Sequence, residues 1–218
     1  MIIAIDGPAG AGKSTLAKGL AKALDFQLVE TGALYRAVGV LAREQGVDLN
    51  DEPALTSIAE SLDMRFVYVQ DVNQVWLGDR EVTALLRSEQ AGQDASKISV
   101  YRNVRTALLD TQRTLASARS SVLEGRDIGT VVCPHADVKF FVSASPEVRA
   151  ERRAKELKAR GETAVYQDIL RDIQDRDHRD ATRTVAPLVP ADDAIRIDTS
   201  TRGIDAILAQ MLGHIDAA

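Results

Sequence analysis

Three glycines within six positions, Gly7, Gly10 and Gly12, followed at once by Lys13 and Ser14, constrain this chain more than any other feature. The stretch Gly7-Pro8-Ala9-Gly10-Ala11-Gly12-Lys13-Ser14 fits G-x-x-x-x-G-K-[S/T] at every fixed position. Glycines let a loop wrap so that successive backbone N–H groups point inward at a phosphate, a nest that side chains would obstruct. A helix opening at Lys13 adds its positive dipole end to the same place. In such a loop the lysine bridges the β- and γ-phosphates and the hydroxyl can ligate Mg²⁺. Gly7, Pro8, Ala9, Gly10, Ala11, Gly12, Lys13, Ser14 and Thr15 are therefore the expected ATP-binding residues, and Lys13 is an expected catalytic residue.

The flanking sequence supplies the context this motif needs. Ile2-Ile3-Ala4-Ile5 is short and continuously apolar, as a strand buried on both faces of a parallel sheet must be. Leu16, Leu20 and Leu24 recur at helical spacing over Lys13 to Leu24. Phe26 to Glu30 reads as a second strand. Thr31 to Gln45 reads as a helix with Thr31 as its cap and Gly46 as its stop. Phe66, Tyr68, Val75, Leu77 and Val82 lie in two β-rich stretches about a polar turn at residues 70–74, which predicts an inserted hairpin with Tyr68 and Trp76 in its small core. Helical pattern resumes over Val100 to Ala118. Val122-Leu123, Val138 to Val142 and Ile195 to Ile197 are further strands, and Ile204 to Ile215 is a last helix. Strands alternating with helices predict an α/β fold with a parallel sheet and helices on both faces.

The segment Pro146 to Arg183 holds ten of the chain's 27 Lys and Arg residues in 38 of its 218 positions, about twice an even share. Each arginine taken singly fits a solvated helix. As a group between strands of a nucleotide-binding sheet they suggest a mobile lid over phosphates at about 147–183. The net charge of −5 argues against a general nucleic-acid binder, so a polyanionic substrate must be met by such a local cluster. The single cysteine, Cys133, excludes an internal disulfide and suits a reducing, cytoplasmic setting. No apolar run approaches a membrane span, and no leader segment is expected ahead of the first strand.

Ser121 to Asp127 carries a buried run into charged residues at the carboxyl edge of the sheet, where open α/β sheets bind ligands. Glu124 is thus the candidate to hold Mg²⁺ through water, with Ser14. A guanine-nucleotide switch would need Asn-Lys-x-Asp and Asp-x-x-Gly strings, and neither occurs. His135, His178 and His214 have no zinc-ligand spacing, and Cys133 reads as filler at a strand end.

Four strings in order, Asp6-Gly7-Pro8, Thr31-Gly32-Ala33-Leu34-Tyr35-Arg36, Glu124 to Thr130, and Arg183-Thr184-Val185-Ala186-Pro187-Leu188, resemble the bacterial cytidylate kinases from residue 2 to about 212. The resemblance implies a nucleoside-monophosphate-kinase-like three-layer sandwich whose five parallel strands run in the order 2-3-1-4-5. It implies one kinase domain, with a core at about 1–30, 93–146 and 184–218, a monophosphate-binding insertion at about 31–92, and the lid. It implies ATP-dependent phosphorylation of CMP and dCMP with Mg²⁺, by a monomer acting on small molecules alone. The alternative is a kinase of this class for another nucleoside monophosphate or small metabolite. Arg36, Arg126 and Arg183 match arginines that hold the acceptor and transferring phosphates. Ser96, Arg105 and Asp127 match cytosine readers, and Arg176 and Asp180 match residues that reach the pentose. Thr31 stands where many members carry Ser, in the substrate-binding set. Arg126, Asp127 and Arg183 join Lys13 as expected catalytic residues.

Overall fold

The apolar opening run forms strand β1 (Ile2–Asp6), with Ile3, Ala4 and Ile5 out of solvent, in the computed structural model, which describes residues 1–69 and 72–217. Helix α1 (Lys13–Leu24) leaves the glycine loop and buries Leu16, Ala17, Leu20 and Ala21. It ends where Asp25 turns into the left-handed region at φ 54° and returns its N–H to the Ala21 carbonyl. Strand β2 (Gln27–Glu30) follows.

Residues 28–118 make a compact unit with their own core. Helix α2 (Gly32–Glu44) stops at Gly46, where φ is 69° and the N–H groups of Gly46 and Val47 close back on the Arg43 and Ala42 carbonyls. Thr31 occupies the N-cap position, but its own backbone is already helical and its side chain makes no capping bond, contrary to expectation. Helix α3 (Glu52–Glu60), which sequence reading missed, starts at Asp51, whose carboxylate accepts the Ala54 N–H at 3.0 Å. The expected hairpin is a three-stranded antiparallel sheet of β3 (Met64–Val69), β4 (Val72–Leu77) and β5 (Arg80–Glu81). Val72 to Gln74, expected in the turn, pair with β3 instead; Gln70 and Asp71 lie outside the described residues. Tyr68 is no core residue, being 51% exposed, and Trp76 is half-buried with the Arg65 guanidinium over its ring. Met64, Val75 and Val82 are buried in the core of this unit, and Phe66 and Leu77 pack against it.

Helices α4 (Thr83–Leu86), α5 (Glu89–Ile98) and α6 (Arg102–Ser117) complete this unit. Gly39 lets α5 lie against α2, since a Cβ there would come within 2.9 Å of Asp94 Cβ. Asp94 is wholly buried and bonded by Arg43 and Gln90. Burial works to raise its pKa, but the bonds from Arg43 and Gln90 outweigh it and hold the carboxylate below its usual range.

Residues 1–27 and 119–218 form the other unit. It continues with β6 (Ser121–Gly125), a single π-turn over Ile128–Val132, β7 (Val138–Ser143), α7 (Pro146–Ala159), α8 (Tyr166–Thr182), β8 (Ile195–Asp198) and α9 (Ile204–Ile215). β1 pairs in parallel with β6 on one side, Ile5 facing Glu124, and with β7 on the other, Ile5 facing Phe140; β8 extends the sheet beside β7. The sheet order is β2-β6-β1-β7-β8, which is 2-3-1-4-5 when these five strands are counted alone. Leu123, Phe140, Val142 and Ile197 from the strands and Leu16, Leu20, Ile207 and Met211 from the helices are its buried apolar filling. Among the described residues no helix is long and apolar enough to cross a membrane.

Candidate active site

The glycine loop leaves the carboxyl end of β1 and is braced from several sides. Gly7 sits at φ 146°, and a Cβ there would fall 1.9 Å from the Val142 carbonyl oxygen, so the loop can begin beside β7 only with glycine. Three loop carbonyls are bound by side chains. Lys13 Nζ donates to Pro8 O at 2.8 Å, Arg149 Nη1 to Ala9 O at 3.2 Å, and Thr199 Oγ1 to Ala11 O at 2.9 Å. Arg152 in turn donates to Thr199 Oγ1 and to Thr199 O.

Ser14 and Glu124, 110 positions apart, meet where α1 begins. Ser14 Oγ donates to Glu124 Oε1 at 2.6 Å. A hydroxyl and a carboxylate together are the hard oxygen donors that Mg²⁺ takes when phosphates and water fill its remaining positions, so the pair fits that ion.

Lys13 is 6% exposed, and its pKa is pushed down to about 7. Burial is the larger cause, and the nearby Arg126 and Arg176 cations add to it, while Glu124 and Asp6 oppose. Such a concentration of desolvated positive charge fits a polyphosphate ligand, whose anions would relieve it. Asp6, at the end of β1, accepts the Ile128 and Gly129 N–H groups, both at 2.7 Å, and so caps the π-turn. Its pKa is raised to about 6, chiefly by burial and also by Asp127, against those two bonds and Lys13.

The π-turn starts directly after Arg126-Asp127. Arg126 Nε donates to Asp180 Oδ2 at 2.9 Å, and Arg183 Nη2 lies 3.4 Å from Asp127 Oδ1. Arg183 Nε also donates to Ala186 O at 2.6 Å, across a turn in which Ala186 takes φ 51°. Asp180 is buried. Burial alone would raise its pKa, but Arg126, Arg176 and Arg183 around it pull it below the usual carboxylate range. Lys13, Ser14, Glu124, Arg126, Asp127, Arg176, Asp180 and Arg183 are thus gathered within one unit.

Thr31, Arg36, Ser96 and Arg105 belong to the other unit. Arg36 Nη1 donates to Leu86 O at 2.6 Å. Arg105 is buried, with its guanidinium 5.5 Å from the centre of the Tyr35 ring and Nη1 donating to Ser99 O at 3.2 Å. The Ser96 hydroxyl is buried without a hydrogen-bond partner, as a hydroxyl kept for a ligand would be.

Sequence reasoning missed that Asp6, Arg149, Asp177 and Thr199 brace the glycine loop and its neighbours. Asp6 did carry a signal: it is a lone carboxylate between a buried apolar run and a glycine loop. Arg149 carried none that set it apart from nine other basic residues in its segment. Arg153 and Arg160, from the same set, pair with Glu156 on the surface of α7.

Comparison with known proteins agrees on the whole chain. The sequence is 44% identical to a cytidylate kinase of Saccharophagus degradans, covering 98% of this chain and 96% of that protein. It is 46% identical to a cytidylate kinase of Exiguobacterium sibiricum, covering 96% and 94%. Among solved structures, a shikimate kinase from Bacteroides thetaiotaomicron superposes with a TM-score of 0.51 at 12% identity, covering 99% of this chain and 98% of that one, a likeness of fold alone. The cytidylate kinase family model matches residues 3–217. With near-complete coverage by the family model and 44% identity to a relative matched over almost its whole length, the chain belongs to the cytidylate kinase family.

Proposed function

We propose that this protein transfers the γ-phosphate of ATP to CMP and dCMP, giving ADP and CDP or dCDP. The observation that carries the reading is the buried Lys13 ammonium at the phosphate loop, crowded by Arg126 and Arg176 and set beside the Ser14–Glu124 pair. Residues Gly7 to Thr15 bind the ATP phosphates, and Lys13 stabilises the charge that develops between the β- and γ-positions. Ser14 and, through water, Glu124 hold Mg²⁺, which neutralises phosphate charge when bound. Arg36, Arg126 and Arg183 hold the acceptor and transferring phosphates through bidentate forks, with Thr31 in the same substrate-binding set. Ser96, Arg105 and Asp127 read cytosine: a carboxylate accepts from the 4-amino group, and a guanidinium donates to the ring nitrogen and carbonyl. Arg176 and Asp180 serve the pentose. No protein nucleophile is required, because positioning and charge neutralisation supply the catalysis.

In this reading the monophosphate-binding insertion covers about 31–92 and the lid about 147–183, on a core of about 1–30, 93–146 and 184–218. The protein acts as a cytoplasmic monomer on small molecules. The deciding experiment is coupled ADP release with CMP, dCMP, UMP, AMP or shikimate as the acceptor. Turnover dependent on CMP and dCMP is expected. Turnover with AMP or shikimate instead would assign another acceptor, and ADP release indifferent to all five would exclude a kinase of this kind.

A further inference from the structure

Arg149 belongs to the basic segment expected to face phosphates, yet the fold gives its guanidinium different partners. The residue is 2% exposed. Its stem runs beneath the glycine loop, close enough that a Cβ on Gly10 would lie 3.3 Å from Arg149 Cβ and 3.6 Å from its Cγ. Its head makes bonds in three directions. Nε donates to Ala144 O at 2.9 Å, past the end of β7. Nη1 donates to Ala9 O at 3.2 Å, inside the loop. Nη1 and Nη2 together clasp the Asp177 carboxylate on α8 at 3.0 and 2.5 Å.

Asp177 is the residue after Arg176 and lies three before Asp180, so the helix turn it anchors also carries both. Arg176 is close enough to Lys13 and Asp180 to move the titration of each. A bidentate guanidinium–carboxylate pair fixes angle as well as distance, because both groups are planar. An ammonium in the same place could not hold three acceptors in one plane.

We infer that Arg149 is a positioning residue for phosphoryl transfer. By binding Ala9 O and the Asp177 carboxylate with one guanidinium, it locks the phosphate loop and α8 into a single register. Arg176 and Asp180 are thereby set against the phosphates that the loop holds. The inference rests on the proposed transfer from ATP, where displacing a positioned group by about 1 Å lowers the rate by roughly 100-fold.

The test uses the full chain with Arg149→Lys, Asp177→Asn and the double variant. Three quantities are read: CMP-dependent ADP release, ATP affinity by calorimetry without acceptor, and amide hydrogen exchange across residues 166–182. Arg149→Lys is expected to lower kcat by about 30- to 100-fold, weaken ATP by about tenfold and speed exchange in α8. Asp177→Asn leaves Arg149 on Ala9 and Ala144, so ATP affinity should stay within about twofold while kcat falls and α8 exchange rises. The double variant should be no slower than Arg149→Lys alone, since both break one coupling. A residue serving only the fold would lower the folded fraction and leave KM, kcat per folded molecule and ATP affinity unchanged, and that result overturns the inference. If Arg149→Lys does not fold, an unchanged kcat in Asp177→Asn overturns it equally. Should wild type release no ADP with CMP, the functional reading fails, and ATP affinity and α8 exchange still decide whether loop and helix are coupled.

Discussion

Arg126 and Asp180, 54 positions apart, are joined by a hydrogen bond of 2.9 Å in which Asp180 is the buried anion among three arginines. Two groups proposed to bind substrate are therefore each other's partners in the free protein, and a nucleotide must exchange with that pair. Asp180→Asn leaves three guanidiniums facing one another without the anion between them. We expect a loss of roughly 3–5 kcal/mol in stability near pH 7, the usual effect of breaking a buried pair. Asp180 has a depressed pKa, so its contribution is present above the unfolded carboxylate range and fades as pH falls through the folded value. Denaturant unfolding of wild type and variant should converge as pH falls through the folded value, below the usual carboxylate range.

Lys13→Met should leave a folded protein whose kcat is at least about 100-fold lower, because the ammonium acts where charge develops in transfer. Its folded pKa of about 7 lies below the ordinary lysine value of 10.5, so the buried charge destabilises the fold fully below pH 7. That penalty fades as pH rises toward 10.5. The variant is expected to melt above wild type at pH 6, with the gap closing toward pH 10. Steady-state rates beside circular dichroism melts check both parts, and near-normal kcat would remove Lys13 from the mechanism.

The same depressed pKa makes nucleotide binding pH-linked. Polyphosphate beside Lys13 favours its charged form, so binding at pH 8 should take up close to one proton, and binding at pH 6 almost none. Calorimetric titrations of ATP in two buffers of different ionisation enthalpy measure that number. Equal uptake at both pH values would show that another group carries the linkage.

Arg183→Ala should lower kcat far more than it raises the KM for ATP. The guanidinium donates to Ala186 O at 2.6 Å and neighbours Asp127; under the proposed reading it meets the phosphates chiefly in the transition state, an interaction that appears in kcat. A change confined to KM would place it on ground-state binding.

Asp127→Asn tests base reading. An amide can turn to donate, which removes the repulsion that the carboxylate sets against the uracil 4-carbonyl. Because Asp127 also neighbours Arg183, turnover should fall with both substrates, and the informative quantity is the ratio of kcat/KM for CMP over UMP. A fall of about tenfold or more in that ratio is expected. An equal loss with CMP and UMP would mean that Asp127 organises the site and cytosine is read elsewhere.

The parallel sheet was legible because its inner strands β1, β6 and β7 are short, largely buried runs, because helical periodicity recurs along the chain, and because the glycine loop ties one strand to one helix. Helix α3 was missed although its start was signalled, Asp51 as cap with Glu52 and Pro53 in the first turn; the apolar periodicity behind it, Leu55, Ile58 and Ala59, is too short to stand out alone. Tyr68 misled because aromatic residues favour strands on either face, and alternation in a short hairpin does not say which face is covered. Ser14 and Glu124 could each be suspected from their own strings. Their 2.6 Å meeting depends on β6 pairing beside β1, a register that no local pattern carries. Arg149 was the least legible, because the buried Arg149 and Arg183, the half-buried Arg152, Arg153 and Arg176 and the five exposed basic residues of its segment look alike until their partners are known.

The pairing of β1 has a consequence for the order in which the chain can fold as it is made. β1 is synthesised well before its neighbours β6 and β7, which begin at Ser121 and Val138. Residues 28–118 are contiguous and carry their own core, so they can collapse while the chain is still growing. Through that interval Ile2 to Ile5 stay an unpaired apolar edge, the kind of segment that chaperones bind and that associates between chains. The phosphate loop, encoded at the start of the chain, is therefore among the last parts of the molecule to be completed.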